Sequence, residues 1–206
     1  MPSVSMCGNH NITFVQIPKN AGTSIGQWLT ENKASDDYRE WYNHPSHSEI
    51  HSKDNFSFTV VRNPWDRMVS LYFFLKHWTS PIPNATNSRQ IRTELYRINN
   101  YDQFPEFDIW LKNIETFKML PWIKWKPTDT QISWLDIAVD HIIRYENLEN
   151  DFHKIQSLID CHDPLPRLLI TNGFVRNNYK DYYNTETIRM VENHFKEDIE
   201  KWQYEF

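Results

Sequence analysis

A short β-prone run that breaks into a small-residue turn constrains this 206-residue chain more than any other feature. Residues Ile12 to Ile17 (ITFVQI) are apolar and strand-like, and they stop at Pro18-Lys19-Asn20-Ala21-Gly22-Thr23-Ser24. Thr23 and Ser24 then open a helical pattern with Ile25, Trp28 and Leu29 on one face. A turn between strand and helix aims several backbone N–H groups, and the positive end of the helix dipole, at one point. Lys19 adds a mobile cation, and Thr23 and Ser24 add hydroxyl donors. Such a turn is suited to a phosphate or a sulfate.

A second strand, Phe56 to Val61, is apolar enough to be buried on both faces. It runs into Arg62-Asn63-Pro64-Trp65-Asp66, a strong helix start. Asn63 can cap, Pro64 suits the first helical position, and Asp66 falls in the first turn. Arg62 stands just before the cap and Ser70 two turns in, so a planar cationic fork and a hydroxyl share one helix start. Arg67, one turn in, reads as a solvent-paired surface charge. Strand–phosphate loop–helix followed by strand–Arg–helix–Ser is far more specific than either half.

The rest of the chain continues the alternation. A polar, His-rich stretch spans Asp36 to Asp54, and a polar excursion that could act as a lid spans Thr79 to Asn100. A helix carries Phe107, Trp110, Leu111 and Ile114; a Trp-rich connection follows from Pro121 to Pro127. Strand Val139 to Tyr145 leads through Glu146 and Asn147, read as architectural, into a helix with Leu148, Phe152, Ile155 and Ile159. One last helix bears Ile188, Val191, Phe195, Ile199 and Trp202. The expected class is α/β, a P-loop-like three-layer fold with a central, mostly parallel sheet flanked by helices, in a single domain over residues 1–206.

Net charge is −5, which argues against a general nucleic-acid binder. Aromatic residues make up 15% of the chain, enough for a substantial core. The first residues show no basic-then-apolar leader, and no apolar run has the length of a membrane span. Cys7 and Cys161, far apart in sequence, read as free thiols. The expectation is a soluble, cytoplasmic protein with no membrane or nucleic-acid partner; the oligomeric state is not readable.

The motifs IPKNAGTS, FTVVRNPWDRMVSLY and IIRYENL, and the ending YYNTETIRMVENHFKEDIEKWQYEF, resemble one family over about Ile12 to Phe206. It is that of the sulfotransferases using 3′-phosphoadenosine 5′-phosphosulfate (PAPS), in particular the heparan and chondroitin carbohydrate sulfotransferases and their short bacterial relatives. The resemblance implies sulfuryl transfer to an acceptor hydroxyl or amine, with a glycan or small glycoside as the expected acceptor. It implies that Lys19, Asn20, Ala21, Gly22, Thr23 and Ser24 grip the 5′ end of PAPS, and that Arg62 and Ser70 take its 3′-phosphate. It also implies that the segment from Arg176 to Lys180 closes over the nucleotide.

A base of near-neutral pKa should take the acceptor proton, which points to histidine or glutamate. Bacterial relatives carry a pattern like His-Ala-Thr-Ala-x-Glu-Ile, and His44-Pro45-Ser46-His47-Ser48-Glu49-Ile50 matches it in register. His44 is the first candidate, His47 the second and Glu49 the third; Lys19 serves the leaving group. His44, His47 and His51 also have the spacing of a helix-borne metal site, but Pro45 would interrupt that helix, so no metal is expected. Gln131 and Trp134 belong either to the acceptor side or to structural packing. Two other readings stay open: a P-loop phosphotransferase using ATP, against which the missing Gly-Lys-Ser/Thr counts, and an inactive nucleotide- or glycan-binding module.

Overall fold

The computed structural model of the chain describes residues 4–7, 10–31, 56–79, 104–116, 125–135, 138–158, 160–166 and 177–206. Four strands form one sheet in the order β1-β2-β3-β4: β1 (Val4–Cys7), β2 (His10–Val15), β3 (Phe56–Val61) and β4 (His141–Arg144). The β2–β3 and β3–β4 pairs are parallel, with Phe14 opposite Phe58 and Val60 opposite Ile143. β1 pairs antiparallel with β2 at the edge. The alternation of sequence patterns did not reveal β1, and it set the first strand two residues late: β2 ends at Val15, and Ile17 lies beyond it. β4 is also shorter than expected, because Tyr145 already begins a 3₁₀ turn, Tyr145–Asn147.

β3 is central, and its side chains are buried from Ser57 onward, as a strand covered on both faces requires. One face packs through Phe14, Phe58, Val60 and Ile143 on α1 (Gly22–Glu31) and on a helix after β4. Phe14 and Phe58 stack at 4.9 Å, and Trp28 meets Phe152 edge-on at 4.9 Å. The opposite face, with Ile17 and Val61 at its upper end, is covered by α2 (Pro64–Thr79), α3 (Phe107–Lys112) and the C-terminal helices. The architecture is therefore α/β, a mostly parallel sheet between two helical layers.

α4 (Leu148–Leu158) follows β4. The C-terminal helix is two helices, α5 (Thr185–His194) and α6 (Lys196–Trp202), where the apolar spacing suggested one. The break falls at Phe195, which leaves helical geometry (φ −107, ψ 28) yet stays 1% exposed. α6 carries Asp198, a buried carboxylate whose partners lie outside the helix. Asn184 caps α5: its Oδ1 accepts from the Thr187 N–H at 3.0 Å, and Thr187 Oγ1 accepts from the Asn184 N–H at 2.9 Å. Among the described residues no helix is long and apolar enough to cross a membrane. Cys161 is a free thiol.

Candidate functional site

The turn after β2 contains two non-glycine residues in the left-handed region, Lys19 (φ 74) and Ala21 (φ 61). Each costs about 1–3 kcal/mol in such a conformation, so the surrounding structure must hold them there. Left-handed residues next to right-handed ones turn successive N–H groups toward a common concavity, the geometry that receives anions. The turn leads directly into the N-terminus of α1, and the first-turn amides of a helix have no carbonyl partner within it. Gly22 has a packing reason as well: a Cβ there would lie 2.2 Å from Gln16 Nε2.

Three consecutive residues of the turn are fixed from β3 and its sequel. Arg67 Nε donates to the Pro18 carbonyl at 3.2 Å. Arg62 Nη1 donates to the Lys19 carbonyl at 2.9 Å. Asn20 Nδ2 donates to Val60 O and to Gln131 Oε1, each at 2.7 Å. Asn63 caps α2, its Oδ1 accepting from the Trp65 N–H at 3.0 Å and the Asp66 N–H at 3.4 Å. That cap sets the direction in which Arg62 and Arg67 leave the helix start.

Arg62 is nearly buried, pairs with Asp66 at 2.7 Å, and lies 3.8 Å over the Tyr145 ring. Burial pulls its pKa down, and Tyr145, Glu146 and Tyr204 push it back up. Arg67 was expected in solvent and is 1% exposed. Burial brings its pKa down to about 10, with Asp198 and Asp129 opposing and Arg62 adding to the fall. The signal was available: in a helix Arg67 stands one turn before the buried Leu71, on the same face. Burial in turn raises the Asp198 carboxyl, against the N–H groups of Gln131 and Ile132 and the Arg67 charge.

Lys19, Ala21, Gly22, Thr23 and Ser24 line one cavity of about 500 Å³ together with Arg62 and Ser70. Gln16, Tyr145, Glu146, Leu148, Leu165 and Pro166 also contribute to its walls. Lys19 Nζ rests 4.0 Å over the Phe74 ring, one turn beyond Ser70 on α2. Asn20 does not line the cavity; its side chain is an internal strut. Lys180 is exposed in the 3₁₀ turn Tyr179–Tyr182, its ammonium 5.3 Å over Phe206, and it does not line the cavity either. Arg176, His44, His47, Glu49 and His51 lie outside the described residues, as does nearly all of the stretch from Thr79 to Asn100.

Gln131 is fully buried and hydrogen-bonded to Asn20 and to the Arg62 backbone, so its amide is an internal group rather than an exposed one. Trp134 packs against the core on the α2 side. Glu146 is architectural as expected: its Oε1 accepts from the Asn63 N–H at 2.7 Å and its Oε2 from Tyr204 Oη at 3.3 Å. Among the described residues no group of three or more His, Cys, Asp or Glu side chains could hold a metal ion.

A family model described as the sulfotransferase family matches residues 2–205. No curated protein and no solved structure matches the chain.

Proposed function

The chain belongs to the sulfotransferase family, and from that premise we propose that its donor is PAPS and that the sulfuryl group passes in line to a hydroxyl of a glycan or small glycoside. The observation that carries this reading is the shared cavity. The strand-to-helix turn with Lys19 lines the same cavity as Arg62 and Ser70, which supports a ligand phosphorylated at two positions. Tyr145, Leu148, Leu165 and Pro166 add aromatic and apolar wall suited to a base.

In this reading the turn amides, Thr23 and Ser24 hold the 5′-phosphosulfate, and Arg62 with Ser70 holds the 3′-phosphate. The acceptor oxygen forms a new S–O bond while the bond from sulfur to the bridging oxygen breaks, releasing adenosine 3′,5′-bisphosphate. Lys19 meets the charge that gathers on the bridging oxygen, where preorganised cations contribute most. Its ammonium, 4.0 Å over the Phe74 ring, belongs to a residue that lines the cavity, which supports that role. His44 takes the acceptor proton, supported by the register of the His44-to-Ile50 pattern, with His47 as the alternative.

Thermal shift tests the donor. Adenosine 3′,5′-bisphosphate at about 100 times its Kd stabilises the fold by about 2.7 kcal/mol, without added metal, and ATP with Mg²⁺ does little. The reverse ranking would sink the PAPS-donor reading and favour the alternative of a phosphotransferase using ATP. His44→Ala should abolish turnover and leave bisphosphate binding intact; full activity in that variant with loss in His47→Ala moves the base by one histidine.

A further inference from the structure

We propose that Gln131 is a positioning residue that joins the two phosphate-binding parts of the cavity into one rigid body, an inference resting on the donor reading above. Its amide is bonded at both ends. Oε1 accepts from the Arg62 N–H at 2.9 Å and from Asn20 Nδ2 at 2.7 Å, and Nε2 donates to the Arg62 carbonyl at 2.8 Å. A backbone N–H can only donate, so the Arg62 bond fixes which end of the amide is oxygen. The same oxygen then fixes Asn20, whose Nδ2 serves both Gln131 and Val60.

Two features make this arrangement more than packing. β3 ends at Val61, so Arg62 is the first residue past the strand and has no ladder partner for its N–H and C=O. Gln131 supplies both bonds, and so sets the backbone from which the Arg62 guanidinium leaves. Asn20 sits between the two left-handed residues of the turn, and its Oδ1 is buried with no partner among the described residues. Its side chain is therefore held through Nδ2 alone, by Val60 and Gln131. One amide thus touches the cavity's turn and its arginine. The Gln131 N–H donates in turn to Asp198 at 2.7 Å, which anchors the joint on α6.

A ligand reaching both regions depends on their spacing, whereas a ligand using one does not. Gln131→Met preserves length and apolar volume and removes the side-chain bonds. Titration calorimetry should show adenosine 3′,5′-bisphosphate binding weakened by about tenfold or more, with adenosine 3′-monophosphate and adenosine 5′-monophosphate each changed by less than about threefold. Hydrogen exchange on the nucleotide-free protein should show the amides of 20–22 and of Arg62 accelerating together. Equal losses for all three nucleotides, or no loss, overturn the inference. If the wild-type protein does not bind the bisphosphate while those amides still accelerate together, the donor reading fails and the mechanical joint stands. Should Gln131→Met fail to fold, Gln131→Asn, one methylene short of the Arg62 backbone, carries the same comparison.

Discussion

Arg67→Met removes a cation that the helix pattern alone leaves looking like surface. The guanidinium is 1% exposed and donates to the Pro18 carbonyl at 3.2 Å and the Asp129 carbonyl at 2.9 Å. It is also the main opposite charge acting on the buried Asp198. An exposed ion pair would contribute about 0–1 kcal/mol. Hydrogen bonds to a charged group contribute about 1.5–3 kcal/mol each. Removing the guanidinium also takes away the positive charge that opposes the rise of the Asp198 carboxyl, although the two groups make no direct ion pair among the described residues. Methionine returns some apolar packing and spares the guanidinium its desolvation, so the expected loss is about 3–5 kcal/mol in total rather than the sum of these contributions.

For a chain of this size that lowers Tm by about 6–20 °C, and urea titration reads the same loss as a shifted midpoint with unchanged slope. The pH dependence has a definite sign. Burial raises the Asp198 carboxyl in the folded state above its ordinary 3.8. The folded protein therefore binds a proton that the unfolded chain has already released, and this contribution to stability falls as pH rises through that window. Without Arg67 the carboxyl rises further, so the deficit of the variant should be smaller near pH 4 and grow toward neutrality. A loss below about 1 kcal/mol at pH 7, or one flat from pH 4 to 7, would refute the assignment of Arg67 as a buried strut.

Three further outcomes follow from the same geometry. Gly22→Ala drives a Cβ to 2.2 Å from Gln16 Nε2; it should cost about 1–3 kcal/mol, and thermal melts of Gly22→Ala with and without Gln16→Ala should show the second change recovering most of the loss. Arg62→Lys cannot reproduce the fork that binds Asp66 and the Lys19 carbonyl together; bisphosphate affinity measured by calorimetry should fall about tenfold or more. Asn184→Ala removes the α5 cap and should cost about 1 kcal/mol in a urea melt, with bisphosphate affinity unchanged.

What the sequence determined by itself is the set of local signals. Ile12 to Val15 and Phe56 to Val61 are strands because their apolar, β-branched and aromatic residues suit a buried pleat, and Asn63-Pro64 starts a helix through chemistry confined to one turn. That Lys19, Arg62 and Ser70 line one cavity was legible because motif spacing survives without knowledge of the fold. The antiparallel β1 and the break at Phe195 were not legible, since pairing partners and packing directions set both.

Only tertiary structure could sort the polar residues by duty. Asn20 and Gln131 resemble ligand-binding amides in sequence, yet both are fully buried and hold backbone. Arg67 resembles a surface charge and is a strut between Pro18 and Asp129. A polar side chain carries no local mark of what it will bond to. Its partner is chosen by whichever carbonyl, carboxylate or amide the folded chain brings alongside, here across 111 residues between Asn20 and Gln131. A buried group must then satisfy that partner or forfeit its hydration without return.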